Sequence, residues 1–377
     1  MRLATFNVEN LFDRAKAMNL DTWAEGKPVL DKFARLSALL GEINYTAARK
    51  SRMVELLTSL GLAKSDEGPF VRLRQNRGDL LKRPKAGPVE IVANGRADWS
   101  GSLELIEKPV DDEAMRNTAR VMMDIEADVL AVVEAESRPA LAAFNDEIIR
   151  GLGGAPFPGV MLIDGNDPRG IDVGLLTRPP YQIGPMRSHV DDRDAKGNRI
   201  FSRDCPEYGI GLADGRVLWI LPNHLKSKGF GSAKDSNARR LAQAQRIKSI
   251  YEGKRSDGED LVAVVGDFND TPGSDALQPL LRDTDLRDVF THAAFDDGGH
   301  PGTFGSCTAS NKIDYILLSP ALQRDNPRAV PDIIRAGQPW RTPFPPGQEV
   351  ERFPRAGWDR PKASDHCPLT VEIDWPE

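Results

Sequence analysis

The sequence predicts an α/β protein in which sheets lie sandwiched between helices. Three observations lead there. Short aliphatic strands recur along the whole chain, most of them end in a polar cluster, and amphipathic helical stretches fill several of the gaps.

The first strand, RLATFNVEN, opens the chain, and ADVLAVVEAE, IDVGLLTR, RVLWILPNHLKS, DLVAVVGDFND, KIDYILLS and PLTVEI follow in order. These runs are apolar nearly throughout, as strands are when both faces are covered. Residues 112 to 126 place Met115, Ala119, Met122 and Met123 on one helical face, and residues 139 to 150 do the same with Leu141, Phe144 and Ile148. Another helix is expected to begin at Arg239 and Arg240, capped by Ser236. The stretch from about 13 to 111 separates the first strand from the next strong one and is expected to elaborate a single domain spanning residues 1–377. Within it VEIVAN and SLELIE flank the turn-rich NGRADWSG, which predicts a β-hairpin over about 89–107. Residues 338 to 364 are too proline-rich for helix or strand.

Composition sets the class without choosing a function. With 40% hydrophobic and 28% charged residues the chain can bury a sizeable core. A net charge of -6 argues against gripping long nucleic acid by bulk charge alone. Cys205, Cys307 and Cys367 have no CxxC spacing, which suggests neither a disulfide framework nor a zinc ribbon and leaves them as thiols. No apolar run approaches the roughly eighteen residues of a membrane span, and nothing ahead of the first strand resembles a signal peptide, so a cytoplasmic location is expected.

Chemistry-bearing side chains gather at strand ends. Asn7 and Glu9 end the first strand, Glu134 the second, His224 ends RVLWILPNH, and Asp267 and Asn269 end LVAVVGDFN. Asp314 lies in KIDYILLS, and Asp365 and His366 precede the last strand. Loops at strand ends are where open α/β sheets place ligands, so one cleft could collect them all. Glu9, Glu134, Asp267, Asp314 and Asp365 would then bring up to five negative charges together. Like charges about 4 Å apart repel by roughly 4 kcal/mol per pair at an effective dielectric near 20, so shared protons or a bound cation must offset them. Carboxylate and amide oxygens favour a hard ion, Mg²⁺, Mn²⁺ or Ca²⁺, over zinc.

FNVEN, the VVE ending in Glu134, NHLKS, GDFND, IDYILLS and SDH resemble, in order, the motifs of the endonuclease/exonuclease/phosphatase superfamily, which includes deoxyribonuclease I and the inositol polyphosphate 5-phosphatases. The resemblance runs from residue 7 to residue 366. It implies a four-layer α/β sandwich, with two packed, mostly antiparallel sheets flanked by helices, and metal-dependent hydrolysis of a phosphate ester. It further implies that Asn7, Glu9, Glu134 and Asp365 surround the metal. Asp267 would activate water and Asn269 hold a phosphate oxygen. His366, oriented by Asp314, would stabilise charge or move a proton, and His224 would assist the leaving group. Glu9 stands where many relatives have Asp. Arg169 falls where relatives place a phosphate-contacting arginine, although Asp172 replaces the usual glycine nearby.

Asp314 has an alternative partner in Lys312, and His224 could be a core histidine. Arg72, Arg74, Arg77, Lys82, Arg83, Lys85 and Arg96 form a local basic excess that could attract DNA or RNA. The 338–364 segment interleaves Trp340, Phe344, Phe353 and Trp358 with Arg341, Arg352, Arg355 and Arg360, a pattern suited to stacking on bases or to pinning a loop. Of Lys226, Lys228 and Lys234 after His224, with Arg239 and Arg240, one or two are candidate phosphate contacts, Lys226 first among them, and most are expected to solvate a surface. The expected activity is a nuclease-type phosphodiesterase. A phosphomonoesterase or small-molecule phosphodiesterase and a non-catalytic binding protein are the alternatives, and no protein partner is implied.

Overall fold

The computed structural model describes residues 1–9, 11–18, 20, 23–167, 169–228, 232–323, 326, 328–339, 351–357 and 361–374. The chain divides into two compact units, one of Met1–Phe12, Val110–Lys228 and Ser232–Glu377, the other of Asp13–Pro109 with Gly229–Gly231.

The first unit holds two six-stranded sheets. Its strands are β1 (Arg2–Asn7), β2 (Val129–Ala135), β3 (Gly159–Leu162), β4 (Asp172–Thr177), β5 (Gln182–Arg187), β6 (Glu207–Gly211), β7 (Val217–His224), β8 (Val262–Asp267), β9 (Arg287–Asp288), β10 (Asp314–Leu318), β11 (Pro331–Ile333) and β12 (Leu369–Glu372). One sheet runs β11-β12-β1-β2-β4-β3 and the other β5-β6-β7-β8-β10-β9. Each has a single parallel pair, β1 with β2 and β7 with β8, and its other pairs are antiparallel.

Burial on both faces explains why the central strands β1, β2, β4, β8 and β10 read as nearly unbroken aliphatic runs. In β2, Val129 and Ala131 meet Ile220, Ala263 and Ile316 of the second sheet, while Leu130 and Val132 face outward against helices. In β8, Ala263 and Val265 point to the first sheet, while Val262 and Val264 pack outward. Each fully buried aliphatic side chain contributes roughly 1.5–3 kcal/mol, so both faces favour apolar residues. The outer layer of the first sheet is α1 (Asp112–Asp124) and α2 (Arg138–Ala143), through Val121, Met122 and Leu141. That of the second is α3 (Ala233–Ser256) and α4 (Gln278–Leu281), through Ala244, Ile247 and Leu280. The unit is the helix, sheet, sheet, helix sandwich that the motifs implied.

Two helical details correct the sequence reading. After α2 the chain enters a π-helix, Phe144–Ile149, whose wider turn moves burial from Ile148 to Ile149. Helix α3 starts earlier than expected. Ser232 is its cap and accepts from Asp235 N–H, so Ser236 lies inside the helix and is buried.

The second unit has helices Trp23–Leu40 and Ala47–Ser59 and three two-stranded sheets. Phe33, Leu36, Met53, Leu57, Leu73 and Trp99 belong to its core. The hairpin expected over 89–107 does not form. Glu90–Ile91 pairs with Leu81–Lys82, and Ser100–Leu105 pairs with Val71–Arg77. The turn between them is anchored instead. Trp99 is buried, its indole N–H donates to the Tyr45 hydroxyl at 3.0 Å, and Arg96 stacks on its ring. Among the described residues no helix is long and apolar enough to cross a membrane.

Candidate active site

The site forms where the two parallel pairs end. Asn7 lies beside Val133 at the carboxyl end of β1 and β2, and His224 lies beside Asp267 at the carboxyl end of β7 and β8. Asp267 also stands across from Asp314 of β10. Gly266 makes the second pairing possible, since a Cβ there, at φ +125°, would come within 2.1 Å of the Asn223 carbonyl oxygen.

Glu134 is placed by a bulge. Asp172 pairs with Ala135 and Val173 with Val133, which leaves Glu134 as the extra residue, at φ +67°. Glu9 (φ 53°) and Asn269 (φ 54°) adopt the same left-handed backbone. For residues with side chains this costs of order 1–3 kcal/mol each, and such strain collects at functional sites.

Asp267 is the hub. Its Oδ2 accepts from Asn7 Nδ2 at 3.2 Å and Asn269 Nδ2 at 3.1 Å, and its Oδ1 from the Asn269 backbone N–H at 2.7 Å. The same Oδ2 lies 3.6 Å from His224 Nε2 and 3.8 Å from His366 Nε2. Burial, with Asp314 and Glu134 nearby, raises its pKa to about 7.

The two histidines differ in charge. Burial works against charge on His366, but Asp314, Asp267 and Asp365 overcome it and hold the pKa well above the ordinary value. His366 Nδ1 lies 2.9 Å from Asp314 Oδ2, whose other partner is the Thr303 hydroxyl at 2.7 Å, and Phe304 packs on the imidazole at 4.9 Å between ring centres. Lys312 Nζ pairs with Asp288 at 3.1 Å and donates to the Asp314 backbone carbonyl at 2.6 Å, so it holds the main chain of Asp314 and not its carboxylate. His224 is buried, with Nε2 also 3.6 Å from Glu134 Oε1, and burial with the Arg203 and Arg169 cations pushes its pKa well below the ordinary value.

On the far side of Glu134, the Asp365 N–H donates to Glu9 Oε2 at 3.1 Å, and Lys362 Nζ lies 3.3 Å from the same oxygen. Burial, then Glu9, raises the Asp365 pKa to about 6, with Glu134 adding to it. These oxygens fit a hard divalent cation, since a dication relieves both the burial and the crowding of like charges that raise the pKa of such carboxyls. Asp267, Asp314 and His366 also offer one ligand atom each within 4.8 Å of one another.

All nine core candidates, Asn7, Glu9, Glu134, His224, Asp267, Asn269, Asp314, Asp365 and His366, thus join one network. Arg169 sits at its edge, forked onto Asp167 through Nε at 2.9 Å and a terminal nitrogen at 2.7 Å, and against the effect of burial the charges of Asp167 and Glu134 raise its pKa. Burial, with Arg169 and Arg203 close by, lowers the Lys226 pKa to about 8. Lys228 pairs with Asp270, and Lys234 is exposed.

The sequence reading missed Asp167, Arg203, Thr303, Phe304 and Lys362. Arg203 is fully buried, 3.0 Å from Asp167. With Ser202 and the acidic Asp204 on either side of it in FSRDC, nothing in the sequence signals that this arginine is buried. The basic stretch of the second unit is matched locally in part, Arg72 by Glu67, Arg74 by Glu104 and Arg83 by Asp66. Trp340, Arg341, Phe344, Trp358 and Arg360 lie outside the described residues, whereas Phe353 packs on the core and Arg352 donates to the Gln338 and Pro339 carbonyls.

A two-sheet sandwich carrying an acidic centre with two histidines agrees with what comparison finds. The family model for the Endonuclease/Exonuclease/phosphatase family matches residues 104–366, and the chain belongs to that family. Its members are phosphoester hydrolases. Solved structures similar to it include a mannosyl-6-phosphatase of Bacteroides thetaiotaomicron (17% identity, 70% of this chain and 92% of that one, TM-score 0.47). A family protein from the same organism aligns at 17% identity over 69% and 86% with TM-score 0.46, and truncated TDP2 of Caenorhabditis elegans at 14% over 69% and 90% with TM-score 0.44. No curated protein matches the sequence.

Proposed function

We propose that this protein is a divalent-metal-dependent phosphodiesterase. The observation that carries the reading is Asp267, one carboxylate held by Asn7 and Asn269 between a neutral and a protonated histidine. Environments that push two like groups apart in pKa divide acid from base work between them.

Glu134 and Asp365 would hold the ion, with Glu9 backing Asp365 and Asn7 completing the set. When bound, a Mg²⁺ or Mn²⁺ ion polarises the phosphoryl oxygens and offsets the negative charge of the cleft. Asp267 accepts a proton from the attacking water, which it orients together with the Asn269 amide. The His366 imidazolium, fixed by Asp314, donates to a phosphoryl oxygen as negative charge builds there. His224 lies across Asp267 from it and assists the departing oxygen. Arg169 and Lys226 supply positive charge for the ester's remaining oxygens.

Two observations bear on substrate size. The net charge of -6 and the local pairing of Arg72, Arg74 and Arg83 weaken the field that a long nucleic acid would meet, which favours a small ester as the second reading. Assay of purified protein with Mg²⁺ or Mn²⁺ on DNA, RNA, bis-p-nitrophenyl phosphate and p-nitrophenyl phosphate, with an EDTA control, tests both. Hydrolysis of diesters in preference to the monoester is expected. Turnover of the monoester alone would replace this reading with the second.

A further inference from the structure

Beyond the hydrolytic centre, Cys307 and Cys367 are buried with their sulfurs 3.6 Å apart, although sixty residues separate them in sequence. Both backbones hang on one short segment. The Gly302 N–H donates to the Cys307 carbonyl at 2.8 Å, Cys307 N–H donates to Phe304 at 3.0 Å, and Cys367 N–H donates to Thr303 at 2.7 Å. Three backbone hydrogen bonds therefore fix the pair before any covalent bond exists. Cys205, by contrast, is buried beside Asp204 and Glu207, which with burial hold its thiol well above the ordinary value.

We propose that Cys307 and Cys367 are a peroxide-oxidisable dithiol that closes to a disulfide and shifts the seat of His366. The Arg335 guanidinium reaches Cys307, a cation beside one sulfur of the pair, which makes Cys307 the attacking sulfur and Cys367 the resolving one. Cys307 sulfur attacks one oxygen of hydrogen peroxide, the O–O bond breaks, and the second oxygen leaves as water after taking up a proton. The sulfenic acid so formed is attacked by Cys367 sulfur, the S–S bond forms, and the hydroxyl leaves with the Cys367 proton as a second water. Two thiols and one peroxide thus give one disulfide and two waters.

Closing the bond must bring the sulfurs from 3.6 Å to about 2.05 Å. The movement falls on the Gly302–Cys307 segment and on residue 367. Thr303 in that segment bonds Asp314, Phe304 packs on His366, and Gly305 N–H donates to the Asp365 carbonyl. Oxidation accordingly pulls on the support of the His366 and Asp314 pair, and the loss of turnover that follows rests on the phosphodiesterase reading.

The test treats reduced full-length protein with hydrogen peroxide and measures intact mass and non-reducing peptides, then bis-p-nitrophenyl phosphate turnover before and after a thiol reductant. The expected result is a loss of about 2 Da, one cross-linked peptide joining Cys307 to Cys367, an unmodified Cys205, and a severalfold drop in turnover that the reductant restores. Cys307→Ser and Cys307→Ala should keep basal turnover and lose the peroxide response. Free thiols, or sulfinic acid without a cross-link, overturn the proposal, and a cross-link that leaves turnover unchanged overturns the control it exerts. If no ester is hydrolysed in any state, the phosphodiesterase reading fails while the cross-link is judged on mass alone.

Discussion

His366 Nδ1 lies 2.9 Å from Asp314 Oδ2, both side chains are buried, and Phe304 packs on the imidazole. The pair fixes the ring, its tautomer and its charge, so that Nε2 alone faces Asn7 and Asp267. Asp314→Asn keeps the size but cannot hold an imidazolium. It should lower kcat about 100-fold or more with little change in KM, because the lost interaction strengthens as charge develops. Thr303→Val, which removes only the hydroxyl on Asp314, should cost less. Steady-state kinetics on a diester, with circular dichroism as the fold control, check both, and an undiminished kcat in Asp314→Asn would remove His366 from the mechanism.

The crowding of Glu9, Glu134 and Asp365 predicts that metal stabilises the native protein. At one hundred times its dissociation constant, an ion that binds only the folded state adds about 2.7 kcal/mol. Mg²⁺ or Mn²⁺ should therefore raise the melting temperature of the wild type by several degrees, EDTA should reverse it, and Glu134→Gln should show most of the rise gone. An equal rise in the variant would place the ion elsewhere.

Burial was the legible part of this fold. Strands such as VLAVVEA and VAVVGD are covered on both faces, so composition alone locates them, and the polar residue that ends each run locates the site. Pairing was less legible. Ser100–Leu105 alternates as a hairpin strand would, yet it joins Val71–Arg77 because Trp99 is drawn into a core that no local pattern encodes. Asp167 and Arg203 escaped for a related reason, since thirty-six residues separate two partners that meet only once the sheets have packed. At α3 the Ser232 cap was overlooked in favour of Ser236, one turn later.

Asp172 carries a pH dependence of stability. Burial, with Asp164 and Asp167 nearby, raises its pKa from 3.8 to about 7, against the opposing pull of the Gly165 N–H and Arg203. Between those values the native protein keeps a proton that the unfolded chain has released, so stability falls as pH rises from 3.8 towards 7 and is level above it. Asp172→Asn is neutral throughout and retains an oxygen for the Gly165 N–H, now 2.9 Å from Oδ1. Its melting temperature should exceed that of the wild type by several degrees at pH 8, the equivalent of roughly 1–3 kcal/mol, and by little at pH 4. Thermal melts of both proteins at the two pH values decide it. A pH-independent difference would mean that packing, not charge, governs the position.

Asp167 joins two guanidinium groups, and its removal should be far costlier than the loss of a surface ion pair. Arg203 is fully buried and Arg169 nearly so, with 12% of its side chain exposed, so Asp167→Ala would leave two cations without their shared counter-ion. Breaking a buried pair in this way costs about 3–5 kcal/mol, whereas exposed pairs contribute about 0–1. Asp66→Ala in the second unit, which removes the half-exposed partner of Arg83, supplies the comparison. Urea denaturation should show a large fall in midpoint for Asp167→Ala and a small one for Asp66→Ala. The same variant should raise KM for the ester more than it lowers kcat, because Arg169 loses its fork while Asp267 and His366 keep their partners. A midpoint near that of the wild type would show that the two arginines are held by other contacts, and Asp167 would lose its role in orienting Arg169.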